Sequence, residues 1–131
     1  MRSLTTNIKV WQLRDQDPLS TYIKGRTVLI GDAAHAMTPH QAQIGTQLKM
    51  REGLHALLGE ANVGRDSVPK LLKDYDRVRR PRASQIQNTT RQAHHQVAPE
   101  QIYSNSMYNW TYPGMKECLR RLNAGEVMIE V

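Results

Sequence analysis

The stretch of residues 26–40 constrains the fold more than any other part of the sequence. A short run rich in β-branched residues, 27–30, ends at Gly31, and an aspartate, two alanines and a loop containing a proline follow it. Apolar side chains then recur with helical spacing over about residues 43–61. This order predicts a buried strand, a tight turn and a helix, which is the unit from which α/β folds are built.

Ligands of nucleotide-binding α/β folds lie beyond the carboxyl ends of the strands, so the residues after the predicted strand are candidate ligand contacts. Gly31 permits a turn without a Cβ conflict, and Asp32 would direct a carboxylate at a ribose hydroxyl. Ala33 and Ala34 are small enough to let the backbone approach a dinucleotide. For a bare Gly-Asp pair, an aspartate that caps the turn is the alternative interpretation.

Other segments carry weaker patterns. Residues 8–13 alternate apolar and polar, which predicts a half-buried strand. Ser67 is a candidate N-cap for a helix over about residues 68–80. Pro81 is expected to stop or kink that helix, and a second helical stretch is expected to end near Gln96.

The predicted elements give an α/β fold class, with one or two strands followed by three or four helices. We place a domain boundary so that residues 1–98 carry the strand, the Gly-Asp motif and the helices. Residues 99–131 form an aromatic-containing tail with an amphipathic segment at 116–122. A lone buried strand needs neighbours on both edges, so this set of elements is expected to be an incomplete portion of a larger fold.

Composition narrows the class of protein. The 131 residues allow one domain with a modest core. The net charge is +6, and the positive residues are spread along the sequence except for a cluster at residues 79–82. The sequence contains no known nucleic-acid-binding motif, so nucleic acid is not an expected partner. The single cysteine, Cys118, excludes an internal disulfide. No apolar run approaches the ~18 residues of a membrane span, and the N-terminus lacks a secretory pattern, so we expect a soluble, cytoplasmic or otherwise intracellular protein.

The sequence predicts neither a metal site nor a catalytic side chain. Of the five histidines, His94 and His95 are adjacent and would diverge on a helix, whereas His35 and His40 lie in the loop after the Gly-Asp motif. No His-x-x-x-His or Cys-x-x-Cys pair accompanies them. No side chain stands out as an acid, base or nucleophile, so no catalytic residue is assigned.

The string Gly-Asp-Ala-Ala-His-Ala-Met-Thr-Pro-His-Gln at residues 31–41 resembles the second flavin-binding motif of the FAD-dependent aromatic hydroxylases, the salicylate hydroxylase-like monooxygenases. Residues 11–19, followed by Gly25 and Arg26, are similar to the lead-in strand and turn of fungal members. Residues 75–87 look like their C-terminal helix signature, whose arginines we interpret as structural, and residues 110–112 resemble their aromatic tail.

This resemblance implies the C-terminal part of an FAD/NAD(P)-binding fold. It implies FAD as cofactor, NAD(P)H as electron donor, and an aromatic or polyketide- or terpenoid-like substrate that is hydroxylated or epoxidised with O2. By the same resemblance the cofactor-binding residues are Gly31 and Asp32, Pro39 beside the flavin ring, and Gly45 through its backbone.

The sequence departs from the family pattern in two respects. Ala42 and Ile44 stand where the family has glycines. The N-terminal Gly-x-Gly-x-x-Gly and a middle Asp-Gly motif are absent from these residues, so the resemblance implies a truncated member that needs its N-terminal part or an oligomeric partner. The alternative is a flavin-free remnant that acts as an interaction module or a small cyclase-like helper.

Overall fold

The computed structural model describes residues 9–39, 43–59, 62–92 and 97–126, and for residues 43–47 it describes the backbone alone. Within these ranges two strands and five helices follow one another along the chain. They are β1 (Ile23–Lys24), β2 (Thr27–Val28), α1 (Asp32–His35), α2 (Gln43–Leu58), α3 (Val68–Gln92), α4 (Pro99–Trp110) and α5 (Met115–Asn123). The predicted class, an incomplete α/β fold with its strands first and its helices after them, is confirmed.

The two strands form an antiparallel hairpin. Ile23 is paired with Val28, and the amide of Leu29 donates to the carbonyl of Tyr22 at 2.8 Å. The strand predicted over residues 27–30 is therefore confirmed in its first half, but its predicted burial is wrong, because Leu29 and Ile30 are 38% and 53% exposed. Within the described ranges the sheet consists of these two strands, so no third strand covers the apolar side chains that follow β2.

The strand predicted over residues 8–13 is wrong for its described part. Residues 9–13 adopt no regular structure, and Val10 and Trp11 are 96% and 79% exposed. The alternating pattern satisfies the local requirement for a strand, but a strand also needs a partner for its backbone groups. In the described ranges the sheet consists of β1 and β2, and residues 9–13 pair with neither of them.

Helix α3 begins where the sequence predicts. The amides of Lys70 and Leu71 both donate to the carbonyl of Ser67 at 3.1 Å, which places Ser67 at the N-cap position. Its hydroxyl, however, donates to the carbonyl of Gly64 at 2.7 Å. Ser67 therefore closes the preceding turn with its side chain and begins the helix with its backbone.

Of the two expectations for Pro81, a stop or a kink, the stop is wrong, because α3 continues through this residue as one helix of 25 residues. The kink stays a prediction. Proline lacks the N–H that would bond to the carbonyl of Arg77 four residues earlier. The helix continues because tertiary packing on both sides of Pro81 offsets this loss: Val78 and Ala83 are fully buried. The helical stretch predicted after Pro81 is confirmed as far as Gln92, and its last predicted residues, 93–96, lie outside the described residues.

The core lies where α2, α3 and α5 meet below the hairpin. Gly53 lets α2 approach α3 closely, since a Cβ added there would lie 3.2 Å from Cε2 of Tyr75. The buried residues of this cluster are Tyr22, Ala34, Met50, Tyr75, Val78, Ala83, Met115 and Cys118. Four of the seven described elements, α1, α2, α3 and α5, therefore contribute buried residues to one core.

The C-terminal elements differ in how well the sequence predicts them. Helix α5 confirms the predicted amphipathic segment, whereas α4 is not predicted. Helix α4 buries Asn105, Tyr108 and Asn109 and exposes Ile102, Tyr103 and Trp110. This reversed polarity explains why its sequence does not give the pattern of an ordinary surface helix. The domain boundary at residue 98 stays a prediction.

None of the helices in the described ranges combines the length and the apolar character that crossing a membrane requires.

A carboxylate on α3 holds the hairpin. Asp76 accepts a hydrogen bond from the amide of Tyr22 at 2.8 Å and another from the hydroxyl of Thr21 at 3.3 Å. Its second oxygen also lies 3.2 Å from Nε of Arg80. Because the residue is 8% exposed, these hydrogen bonds replace the water that the carboxylate loses on folding.

We predict that Asp76→Asn lowers the free energy of unfolding by about 1–3 kcal/mol, since a buried amide loses its charged acceptor. Asp74→Asn is the matched control, because Asp74 pairs with Arg77 at 3.2 Å on the surface, and it should cost about 0–1 kcal/mol. Urea unfolding followed by circular dichroism measures both. Equal losses in the two variants would contradict the role of Asp76.

Candidate functional site

The turn between β2 and α1 depends on Gly31. This residue has φ 58° and ψ −140°, and its carbonyl accepts hydrogen bonds from the amides of Ala34 at 2.9 Å and His35 at 3.1 Å. No atom lies within 4 Å of a Cβ built on Gly31. Glycine is therefore needed at this position for its backbone conformation and not for lack of space. A residue with a Cβ at this positive φ would destabilise the turn by about 1–2 kcal/mol.

The two residues after Gly31 face solvent. Asp32 and Ala33 are exposed, whereas Ala34 is fully buried and belongs to the core. The expectation that both alanines leave the backbone open to a ligand therefore holds for Ala33 alone. The arrangement presents one carboxylate and one methyl-sized side chain at the end of the hairpin.

His35, the last residue of α1, packs into the core next to the turn. It is completely buried, and its Nε2 atom lies 2.7 Å from Sδ of Met50 on α2. Burial is the main reason that its pKa lies below the ordinary value, and the charge of Arg79 lowers it further, while Asp32 opposes the shift. The imidazole is thus part of the core, in contact with Met50 of α2.

The segment that leaves α1 is fixed by α3. The carbonyl of Ala36 accepts hydrogen bonds from Nε2 of Gln87 at 3.2 Å and from the amide of Gln16 at 3.2 Å. Nε2 of Gln87 also lies 3.3 Å from the carbonyl of Gln16. Met37 is buried beside Ile86 of α3 in a second apolar cluster. The chain is thus held on both sides of α1 before it reaches Pro39.

The other two predicted flavin residues lie at the edges of the undescribed residues 40–42. Pro39 is exposed, and Gly45 lies in the first turn of α2. Ile44 is also helical, so the backbone there has no need of the left-handed conformation that would penalise its Cβ. Ala42 lies outside the described residues. The assignment of Gly31, Asp32, Pro39 and Gly45 to flavin contacts stays a prediction.

Residues on α3 that support the motif are missing from the sequence-based prediction. Arg91 lies 2.5 Å from a carboxylate oxygen of Asp15 and 3.0 Å from one of Asp17, and it donates to the carbonyl of Gln16 at 2.6 Å. Together with Asp76 and Gln87 it connects α3 to the chain before and after the turn. The sequence does contain a signal for this role, because Asp76, Gln87 and Arg91 are spaced so that they share one face of a helix.

The described residues offer little support for a metal site or for a cysteine nucleophile. Within the described ranges, no group of three or more His, Cys, Asp or Glu side chains is placed to hold a metal ion. Cys118 is buried, and burial raises the pKa of its thiol. A protonated thiol is a poor nucleophile, which agrees with its interpretation as a non-catalytic residue.

An open apolar pocket of about 570 Å³ lies on the hairpin. Its lining comprises Thr21, Tyr22, Ile23, Lys24, Thr27 and Leu29. None of the four predicted flavin residues lines this pocket. The pocket therefore reflects the uncovered face of the hairpin rather than the predicted site.

We predict that His35 makes stability depend on pH. Its folded pKa lies below the unfolded value of about 6.5. The unfolded chain therefore binds a proton first, and the contribution of neutral His35, fully present above that value, is lost as pH falls through the lower folded pKa. Urea unfolding between pH 8 and pH 5 should show this slope, and His35→Gln should flatten it. An unchanged slope in the variant would contradict the assignment.

Comparison with known proteins identifies relatives of this chain. The family model described as "FAD binding domain" matches residues 3–90. A salicylate hydroxylase from Pseudomonas putida is 46% identical over 82 residues, which are 62% of this chain and 19% of that protein. An FAD-dependent monooxygenase from Aspergillus candidus is 38% identical over 94 residues, covering 70% of this chain and 21% of that protein.

A solved structure of a salicylate hydroxylase substrate complex superimposes with a TM-score of 0.61 at 39% identity, covering 88% of this chain and 26% of that one. The chain spans about a fifth of the length of the curated relatives it matches. It thus corresponds to one region of a longer fold. On this evidence the chain belongs to the FAD-binding family of the aromatic hydroxylases, the salicylate hydroxylase-like monooxygenases.

Proposed function

We propose that this chain supplies the second flavin-contacting region of an FAD-dependent monooxygenase. The turn between β2 and α1 carries this proposal. Gly31 adopts the left-handed conformation there, and Asp32 presents an exposed carboxylate directly after it. A carboxylate at the end of a strand, beside backbone without a side chain, suits a ribose hydroxyl of a dinucleotide.

The start of α2 supports the same function. The first N–H groups of a helix have no helical acceptors, and the helix dipole favours negative charge near them. Helix α2 has 16 residues and no acidic residue in its first turn, where Gly45 lies. Exposed Pro39 precedes it. These residues would hold the flavin part of FAD, as Asp32 would hold the ribose.

The protein's part in the reaction is binding and orientation. FAD, when bound, would supply the redox chemistry, with NAD(P)H as the electron donor and O2 as the oxidant. Asp32 would fix the cofactor by accepting a hydrogen bond, and the helix α2 would stabilise negative charge on it. We assign no catalytic side chain to this chain.

The substrate class follows from the names of relatives. They include salicylate hydroxylase, 3-hydroxybenzoate 6-hydroxylase and 6-hydroxynicotinate 3-monooxygenase. These proteins differ in substrate, so we propose only the class, an aromatic or secondary-metabolite molecule that is hydroxylated or epoxidised.

The exposed apolar side chains fit a position within a larger fold. Trp11, Leu13, Leu29 and Ile30 are each more than a third exposed and lie before β1 or after β2. Exposed apolar groups of this kind are typical of surfaces that another part of a protein covers. We propose that the remainder of an FAD-binding fold, from the same chain or from a partner, covers them.

We predict that Asp32→Ala weakens FAD binding by about 1–3 kcal/mol, the range for a lost charge-assisted hydrogen bond. Titration of the 131-residue chain with FAD, followed by quenching of flavin fluorescence, measures the affinity. Asp66→Ala is the matched control, since Asp66 is an exposed aspartate in the loop before α3 and should leave the affinity unchanged.

Two results would count against the proposal. Equal affinities of the Asp32→Ala variant and the parent chain would remove Asp32 from the site. A chain that circular dichroism shows to be folded, but that binds no FAD, would favour the flavin-free interaction module instead.

A further inference from the structure

Helix α4 exposes an apolar stripe to solvent. Tyr103 and Trp110 are 67% and 69% exposed, and half-buried Ser106 and Met107 lie between them. The spacing of these four residues places them on one face of the helix, which we call the α4 stripe. Ile102, which is 47% exposed, lies at its edge. The opposite face of α4 carries the buried residues that pack on the core.

Polar groups of the α4 stripe already have partners within the helix. The hydroxyl of Ser106 donates to the carbonyl of Ile102 at 2.9 Å. The hydroxyl and the amide of Thr111 both donate to the carbonyl of Met107, each at 2.9 Å. Removing a polar group from water is costly mainly when the group loses its hydrogen bonds. The stripe can therefore be covered without leaving these groups unsatisfied.

The charge of α4 differs from that of the other long helices. Helix α4 contains one charged residue, Glu100, whereas α2, α3 and α5 each carry a net positive charge. Two copies of a chain with a net charge of +6 repel each other, and the repulsion is smallest where the facing surfaces are nearly uncharged. Among the described helices longer than one turn, α4 therefore suits a contact between two copies best.

The α4 stripe is also symmetric about its midpoint, because an aromatic residue lies at each end and smaller residues lie in the middle. In an antiparallel pair of α4 helices, a two-fold axis between Ser106 and Met107 sets Tyr103 against Trp110 of the second copy. Such aromatic pairs stabilise a contact beyond the area they bury. The same axis keeps the two Glu100 carboxylates at opposite ends of the pair, so like charges do not meet.

The α4 stripe lies outside the region that the family model matches. That match ends at residue 90, whereas α4 begins at Pro99. The exposed apolar residues that we assign to contact with the remainder of an FAD-binding fold lie between residues 11 and 30. The stripe is thus a separate apolar surface, and it contains none of the four predicted flavin residues.

We propose that the α4 stripe is the interface of a homodimer, in which two copies of this chain pack their α4 helices antiparallel about a two-fold axis. The 12 residues of α4 extend over about 18 Å. A contact along one such face is at the low end of the interface sizes found in specific complexes, so the dissociation constant lies in the micromolar range. The dimer goes beyond the proposed function, because its formation requires no FAD.

The test is sedimentation equilibrium of the whole 131-residue chain without FAD, at protein concentrations from about 1 to 500 μM. The parent chain should follow a monomer–dimer equilibrium. Trp110→Glu places a carboxylate in the stripe and should raise the dissociation constant about tenfold or more. Trp11→Glu is the matched control, because Trp11 is 79% exposed but lies outside the stripe, and it should dimerise as the parent chain does.

Cysteine crosslinking tests the antiparallel register and decides the matter if Trp110→Glu does not fold. Ser106 lies next to the proposed axis, whereas the two copies of Tyr103 lie about 10 Å apart along the helices. A disulfide requires Cα atoms within about 7 Å. Oxidation should therefore crosslink Ser106→Cys about tenfold faster, or more, than Tyr103→Cys. The native Cys118 is buried in both variants and serves as a common background.

Four results would overturn the proposal. They are a parent chain that stays monomeric at every concentration, association that continues beyond the dimer, equal crosslinking of the two cysteine variants, and a dimer that Trp11→Glu weakens as much as Trp110→Glu does. Because none of these measurements involves FAD, a failure of flavin binding leaves their outcome unchanged.

Discussion

Polar side chains on α3 satisfy backbone groups of the segments on both sides of the Gly-Asp turn, and the rest of the structure depends on these contacts. Asp76 accepts from the amide of Tyr22 before β1, and Gln87 donates to the carbonyl of Ala36 after α1. Buried backbone groups without partners would be costly, so these hydrogen bonds fix where the turn lies relative to the helices. The candidate flavin residues thus take their position from a helix that contains none of them.

The same helix explains why the core contains so many polar groups. Arg79, Arg82 and Thr90 are buried on α3, and Asn105 and Asn109 are buried on α4. Helix α4 packs against α3 through Arg82, whose guanidinium lies over the ring of Tyr108 and donates to the Tyr108 carbonyl. Tyr108 also joins Met37 and Ile86 in the second apolar cluster. A polar core of this kind is sensitive to the charge it encloses.

How far the sequence predicts the structure depends on the range of the interactions involved. Gly31 and Ser67 act through their own backbone conformation or nearest neighbours, and the turn at Gly31 and the start of α3 at Ser67 lie where the sequence predicts. Pro81 was expected to stop or kink its helix, but the helix continues through it, because residues on both sides are buried. Val10 and Trp11 have the pattern of a strand without a strand to pair with. Tertiary contacts, or their absence, decided each of these latter cases.

We conclude that α3 holds the Gly-Asp turn in place, and native-state hydrogen exchange of the turn tests this conclusion most directly. The amides of Ala34 and His35 donate to Gly31, so their exchange reports opening of the turn. In Gln87→Met, their opening free energy should fall by about 1–3 kcal/mol relative to the parent chain, while amides near the end of α2 stay unchanged. Unchanged exchange of Ala34 and His35 in the variant would contradict the account.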